Sequence, residues 1–160
     1  MTIATRLDHY LSNNHIDFET VTHNHSHSSL HSAMAANILP VSLAKGVILE
    51  DHEGRHLMAV LPANANINMP TLNRALLASF HLVREHDIYK MFEDCENGAV
   101  PPVGHIYHLP VVYDKSLAEL EFVYLEAGDH ETLIKLDREA FIKLMGHHSR
   151  CLGFSRQVFH

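Results

Sequence analysis

KGVILEDHEGRHLMAVLPA, residues 45–63, predicts two β-strands joined by a short polar turn. The two apolar segments, KGVILED (45–51) and HLMAVLPA (56–63), are rich in the aliphatic residues that strands favour. The turn DHEGR (51–55) is polar and contains a glycine, as is typical of a chain reversal. We therefore expect an antiparallel hairpin over residues 45–63.

Further elements are predicted on both sides of this hairpin. They are a helix over 3–11, a strand at FETVTH (18–23), a helix from Ser28 or Ser29 through Ile38, a helix that begins at Pro70, a short helix at DIYKMFED (87–94), strands at LPVVYD (109–114), EFVYLEA (121–127) and ETLIKL (131–136), and a helix at REAFIKLM (138–145). We expect Leu30, Met34 and Ile38 to share one face of the second helix. Asp137 is expected to cap the last helix and Gly146 to end it.

The order of these elements predicts the fold class. Helices and runs of strands alternate, so the content is α/β. Because several consecutive strands are joined by short turns, we expect a mixed, largely antiparallel sheet rather than a doubly wound parallel one.

Size and composition are those of an ordinary soluble globular protein. A chain of 160 residues with 46% hydrophobic residues fits one domain, residues 1–160. No segment approaches the roughly 18 apolar residues of a membrane helix. The polar start MTIATRLDHY lacks the features of a secretory signal, so we expect a cytoplasmic protein without a membrane partner. Cys95 and Cys151 are expected to be free thiols.

The formal net charge of −7 disfavours a general nucleic-acid coat protein. Nonspecific binding to phosphates depends on an excess of lysine and arginine, which this chain lacks. We expect no DNA partner. A local basic pocket that grips one end of a nucleic acid remains compatible with this charge.

The segment THNHSHSSLHS (22–32) concentrates His23, His25, His27 and His31. Imidazole is a common ligand of zinc, copper and nickel, so the segment could chelate a metal. Metal sites usually also recruit Cys, Asp or Glu, whereas only Ser and Asn separate the first three of these histidines. We favour a solvated turn whose serines cap the next helix, with no metal and no cofactor. A histidine-rich metal buffer stays open as an alternative.

Two features remain as candidates for chemistry. The sequence contains no GxxxxGK[ST], GxGxxG, HExxH or GxSxG motif, which disfavours P-loop, zincin and serine-hydrolase chemistry. Lys45 opens an apolar strand, and the loop GAVPPVGH (98–105) joins two adjacent prolines to two glycines. Taken separately, the lysine fits an ordinary strand-end residue that extends to water, and the loop fits a proline-stiffened turn.

Together, Lys45 and the loop about fifty residues later resemble the YbaK/ProX family of aminoacyl-tRNA deacylases, which is related to the editing domain of bacterial prolyl-tRNA synthetases. The resemblance extends over nearly the whole chain. It implies a mixed, partly curled sheet with flanking helices, and hydrolysis of the ester that joins a mischarged amino acid to the 3′ end of tRNA. The sequence departs from the family at Gly46, often polar in relatives, and at Val103, often aromatic.

The resemblance implies a set of site residues. The catalytic candidates are Lys45, Gly98, Ala99, Val100 and His130, and the substrate-binding candidates are His25, Pro101, Pro102 and Gly104. As a hypothesis, the amides of residues 98–100 stabilise the oxyanion on a loop that Pro101 and Pro102 hold rigid. Lys45 would hold the phosphate or sugar of the terminal adenosine. His130 would orient the attacking water or the substrate's amino group.

The function that follows is trans-editing of a mischarged aminoacyl-tRNA that carries a small amino acid such as alanine, cysteine or serine. The expected partner is the acceptor end of the tRNA, with an aminoacyl-tRNA synthetase as a further candidate. A catalytically inactive tRNA- or nucleotide-binding module of the same fold is the alternative, and Gly46 and Val103 are the residues that keep it open.

Overall fold

The computed structural model describes residues 3–157. The α-helices are α1 (Thr5–Asn13), α2 (Ser29–Ala35), α3 (Met69–Leu76), α4 (Lys115–Ala118) and α5 (Arg138–Met145). The strands are β1 (Glu19–Thr22), β2 (Leu43–Glu50), β3 (His56–Pro62), β4 (Ala65–Ile67), β5 (His81–Leu82), β6 (Val111–Asp114), β7 (Phe122–Glu126), β8 (Thr132–Asp137), β9 (Arg150–Leu152) and β10 (Ser155–Gln157). Short 3₁₀ turns occupy Pro40–Ser42, Glu85–Asp87, Tyr89–Phe92 and Gly104–Tyr107.

The main sheet has the order β1-β8-β7-β2-β3-β6-β9, and β5 adds a short pairing to β2. β2 and β3 pair antiparallel from Ala44 opposite Pro62 to Glu50 opposite His56, which confirms the predicted hairpin. The β2–β7, β3–β6 and β6–β9 pairs are parallel and the other pairs of this sheet are antiparallel. The prediction of a mixed, largely antiparallel sheet is therefore confirmed.

Apolar side chains are buried on both faces of this sheet. On one face, Leu7 and Leu11 of α1 belong to the same cluster as Phe141 and Leu144 of α5. On the other face, Leu72 of α3 packs with strand residues in a second cluster. A third cluster joins Ala33 of α2 to Leu43, Ala63 and Leu133. The sheet thus places β2, which carries Lys45, at the centre of the molecule with helices around it.

Predicted helix ends at two positions are confirmed by their capping bonds. The Ser28 side chain accepts a hydrogen bond from the His31 amide at the start of α2. The Asp137 side chain accepts one from the Ala140 amide at the start of α5, and Gly146 ends that helix with φ +74°. These bonds satisfy amides that have no partner inside the helix.

Other local predictions are wrong. Helix α2 ends at Ala35 rather than Ile38, and it buries Ser32 and Ala33 while Leu30 and Met34 are 39% and 69% exposed. The small residues face the sheet because they let the helix approach it closely. Segment 87–94 forms 3₁₀ turns instead of an α-helix.

Four short strands, β4, β5, β9 and β10, were not predicted. Each spans two or three residues, which is too few to give a detectable pattern.

Within residues 3–157, no helix combines the length and the apolar character needed to cross a bilayer.

Candidate functional site

A pocket of about 460 Å³ opens beside the middle of β2. It is lined by His27, Ser28, Ser29, Leu30, Lys45, Gly46, Val47, Ile48, Met58, Ala63, Leu82, Val83, Ile88, Tyr89, Phe92, Gly98 and Val100. The walls therefore come from the start of α2, the β2–β3 hairpin, the segment 82–92 and the loop after residue 97. Lys45 and the glycine-proline loop, which lie far apart in sequence, meet at this pocket.

Lys45 is half-buried in the wall of the pocket. Its Nζ donates a hydrogen bond to the carbonyl oxygen of Ala63, with 3.2 Å between the two atoms. Burial lowers the pKa of the Lys45 ammonium. A lysine ammonium has three N–H donors, so two remain to bind an oxygen of a phosphate or sugar.

The loop contributes Gly98 and Val100 to the pocket. Ala99 is fully buried, and its amide donates to the Glu96 carbonyl oxygen at 3.1 Å. Within residues 3–157, the amides of Gly98 and Val100 make no hydrogen bond to the protein. Of the three amides expected to bind the oxyanion, that of Ala99 is already used in the turn that shapes the loop, whereas those of Gly98 and Val100 remain available.

Pro101, Pro102 and Gly104 are buried and lie outside the described lining of the pocket. A Cβ added to Gly104 would lie 2.9 Å from Cγ2 of Val111 and 3.0 Å from Cβ of Met58. Those distances are too short for a side chain, so the absence of one lets the loop contact the sheet directly. These three residues support the loop, and their expected contact with substrate stays a prediction.

His130 lies in the turn between β7 and β8 with φ +60° and is 4% exposed. Its Nε2 is 2.6 Å from the carbonyl oxygen of Asn97. A carbonyl oxygen only accepts, so Nε2 is the protonated donor nitrogen. The ring also lies 3.3 Å from the position that a Cβ on Gly98 would take. His130 therefore contacts the loop and lies outside the described pocket lining, and its expected role in orienting water or substrate stays a prediction.

In the histidine-rich segment, His27 rather than His25 lines the pocket. Nε2 of His25 lies 3.2 Å from Oε2 of Glu96, and both side chains are about half exposed. The His25 ring also contacts the rings of His27 and His130 edge-on, with centroids 5.5 and 5.6 Å apart. Residues 3–157 contain no group of three or more His, Cys, Asp or Glu side chains arranged to hold a metal ion. The rings of His25 and His27 thus lie beside Glu96, His130 and the pocket.

The model of the aminoacyl-tRNA editing domain family matches residues 23–144, which include Lys45, the loop and His130. The chain belongs to the aminoacyl-tRNA editing domain family. This membership confirms the resemblance to the YbaK/ProX deacylases. No curated protein matches the sequence.

Solved structures share the fold of this editing domain. A protein provisionally described as a trans-editing enzyme for prolyl-tRNA synthetase superposes with a TM-score of 0.78 at 16% identity, over 96% of each chain. A hypothetical protein gives a TM-score of 0.80 at 17% identity, over 94% of this chain and 99% of its own. A protein from Marinobacter aquaeolei, provisionally described as a signal transduction protein, gives 0.75 at 20% identity, over 96% of this chain and 31% of its own.

Several residues that line the pocket of this editing domain are not recognisable as pocket residues from the sequence. Ile48, Met58, Ile88 and Phe92 are at most 9% exposed and line the pocket. In the sequence they stand in apolar segments and are indistinguishable from ordinary core residues. The histidine-rich segment does single out His27 as a candidate. Because His25 and His27 would lie on the same face of a strand, the sequence does not show which of the two lines the pocket.

Proposed function

We propose that this chain is a trans-acting aminoacyl-tRNA deacylase that removes a small amino acid from the 3′ end of a mischarged tRNA. Membership in the aminoacyl-tRNA editing domain family supports an interaction with aminoacyl-tRNA. The observation that carries the proposal is the common pocket of Lys45, Gly98 and Val100, where a lysine and two residues whose amides are unpaired within residues 3–157 line one cavity.

Water is the nucleophile in the proposed reaction. Its oxygen attacks the ester carbonyl carbon, the carbonyl oxygen becomes an oxyanion, and the bond between the acyl carbon and the ribose oxygen then breaks. A proton from the water passes to the ribose oxygen, so the products are the free amino acid and a tRNA with an intact terminal hydroxyl. An aminoacyl ester is already labile, so positioning and charge stabilisation are the main requirements of a catalyst.

The amides of Gly98 and Val100 would donate to the oxyanion as negative charge develops on it. Loss of one such donor typically costs on the order of 3 kcal/mol of transition-state stabilisation. Lys45 would hold the terminal adenosine through its two remaining N–H donors, so that the ester reaches the loop. His130 would act as a positioning residue, because its bond to Asn97 holds the segment that precedes Gly98.

We further propose that a partner presents the acceptor end to the pocket. The net charge of −7 supports only a weak grip on the tRNA body, because that grip depends on lysine and arginine contacts to phosphate. An aminoacyl-tRNA synthetase that holds the same tRNA is the proposed partner.

The test is a deacylation assay on a panel of tRNAs mischarged with alanine, cysteine or serine, run for the wild type and for Lys45→Ala. We expect Lys45→Ala to lower kcat/KM on the order of 100-fold, since a misplaced ester reacts much more slowly. The matched control is Lys135→Ala, which removes a half-buried lysine of β8 whose Nζ lies 3.9 Å from Glu19 and which is outside the described pocket lining.

Each outcome of this assay decides between the open interpretations. Turnover that Lys45→Ala abolishes and Lys135→Ala preserves supports the deacylase. Measurable binding of charged tRNA without turnover on any substrate would favour the inactive binding module. Equal kinetics for Lys45→Ala and the wild type would contradict the role given to the lysine.

A further inference from the structure

We propose that Met58 forms the floor of the pocket and limits the size of the amino-acid side chain that the pocket accepts. The inference rests on the proposed deacylase function, because it concerns the substrate choice of the same site. Met58 lies on β3, is 0% exposed, and belongs to the pocket lining.

The mouth of the pocket carries both polar and apolar residues, and its interior is apolar. Lys45, Ser28 and Gly98 are partly exposed, whereas Met58 and Phe92 are 0% and 3% exposed. The buried residues of the lining are Ile48, Met58, Ala63, Ile88 and Phe92, and none of them has a polar side chain. An ester held at the mouth therefore extends its acyl side chain toward this apolar interior.

Two glycines hold the Met58 side chain in place. A Cβ added to Gly46 would lie 3.0 Å from Sδ of Met58 and 3.3 Å from its Cε. A Cβ added to Gly104 would lie 3.2 Å from the same sulfur. Methionine is normally an adaptable side chain, but here the backbone of two glycines lies close to it and leaves little room for another conformation.

The same contacts join the floor to the loop. A Cβ on Gly46 would also lie 3.3 Å from Cα of Pro102, so β2 and the double-proline segment are in direct backbone contact beside the thioether. Gly46 itself lines the pocket next to Lys45. The position of the Met58 sulfur is thus set by the strand that carries the cation and by the loop that carries the amides.

Shortening Met58 should deepen the pocket without removing the groups at its mouth. An extra methylene in an apolar pocket changes kcat/KM by roughly 10- to 200-fold. The test compares one tRNA charged with alanine and the same tRNA charged with valine, for the wild type and for Met58→Ala. We expect the ratio of valyl to alanyl kcat/KM to rise at least about 10-fold in Met58→Ala.

Two further variants separate pocket shape from general loss of stability. Met58→Leu conserves volume and should leave the ratio within about 3-fold of the wild type. Met145→Ala removes a methionine that is 1% exposed in α5, outside the described pocket lining, and should lower stability without changing the ratio. If Met58→Ala does not fold, Met58→Val removes the same sulfur and terminal methyl with a residue that suits a strand, and the same rise is expected.

An active wild type whose ratio is unchanged in the shortened Met58 variant would overturn the role of Met58 alone. An equal rise in Met145→Ala would also overturn it, because the effect would then be one of general loosening. A wild type that hydrolyses no charged tRNA would overturn the proposed function, and the inference with it.

Discussion

Gly98 is the residue at which three segments of the chain meet. Its φ of +84° lies in the left-handed region that other residues seldom adopt. A Cβ at this position would lie 3.3 Å from Cε1 of His130 and 3.7 Å from the carbonyl oxygen of His27. The loop, the β7–β8 turn and the histidine-rich segment thus pack together because Gly98 carries no side chain.

We predict that Gly98→Ala lowers both stability and deacylation. The positive φ should cost about 1 kcal/mol of the free energy of unfolding, and the close contact with His130 should displace an amide of the loop. Gly54→Ala is the control, since Gly54 has φ +81° but no atom within 4 Å of its added Cβ. Denaturant unfolding and kcat on a charged tRNA measure the two effects.

Because both glycines have a positive φ, Gly54→Ala should lose about as much free energy of unfolding from the backbone angle as Gly98→Ala. Its kcat should stay at the wild-type value. The role given to Gly98 is contradicted if both variants keep full activity, or if both lose it equally.

At the scale of elements, Asp114 joins β6 to α4 and to the C-terminal segment. Its carboxylate accepts hydrogen bonds from the amides of Ser116 at 3.2 Å and of Phe154 and Ser155 at 2.9 Å, and the residue is 3% exposed. Burial acts to raise the pKa of Asp114, but the hydrogen bonds from Ser116, Phe154 and Ser155 outweigh burial and lower it. The ionised form is therefore the one that stabilises the fold.

We predict that Asp114→Ala lowers the free energy of unfolding by about 3 kcal/mol, because it leaves buried amides without acceptors. Asp137→Ala is the control, since its side chain caps α5 through one bond to the Ala140 amide, and it should cost about 1 kcal/mol. Denaturant unfolding at pH 7 measures both.

Because the pKa of Asp114 is lowered, its contribution to the free energy of unfolding should persist at neutral pH and disappear as pH falls below about 4. Equal losses in the two variants would contradict this assignment.

At the scale of the whole molecule, the carboxyl of Glu126 is buried where the sheet lies beside Ser32 of α2. Glu126 is 1% exposed at the end of β7, and within residues 3–157 neither carboxyl oxygen has a hydrogen bond of good geometry. Burial raises the pKa of Glu126 to about 7, the adjacent Ser32 hydroxyl of α2 opposes that rise, and Asp129 adds to it. The folded protein therefore favours the protonated form.

We predict that Glu126 makes the protein less stable as pH rises. The folded state holds the proton up to about pH 7. The unfolded chain releases it near its ordinary value of about 4.3, so the free energy of unfolding falls between these two pH values. Glu126→Gln removes this pH dependence. The free energy of unfolding of the variant, relative to that of the wild type, should therefore rise by about 3 kcal/mol from pH 4 to pH 8. Thermal or denaturant unfolding over that range measures the difference, and a constant difference would contradict the prediction.

Much of the local structure follows from the sequence. The hairpin, the capping residues Ser28 and Asp137, and the irregular loop around Pro101 and Pro102 are visible as short patterns. Such patterns work because capping bonds, strand composition and the missing amide of proline act over a few neighbouring residues. The family could also be inferred from the order and spacing of Lys45 and the loop.

The pocket itself depends on the folded chain. Its walls come from segments 27–30, 45–48, 58–63, 82–92 and 98–100, which meet only because β2 pairs with β3 and β7 and the loop packs on the hairpin. The use of the Ala99 amide within its own turn, the place of His130 behind Gly98 and the burial of Met58 all depend on those long-range contacts. A local pattern specifies which residues can form a strand, turn or cap, but tertiary packing decides which polar atoms stay unpaired and which apolar side chains face a cavity.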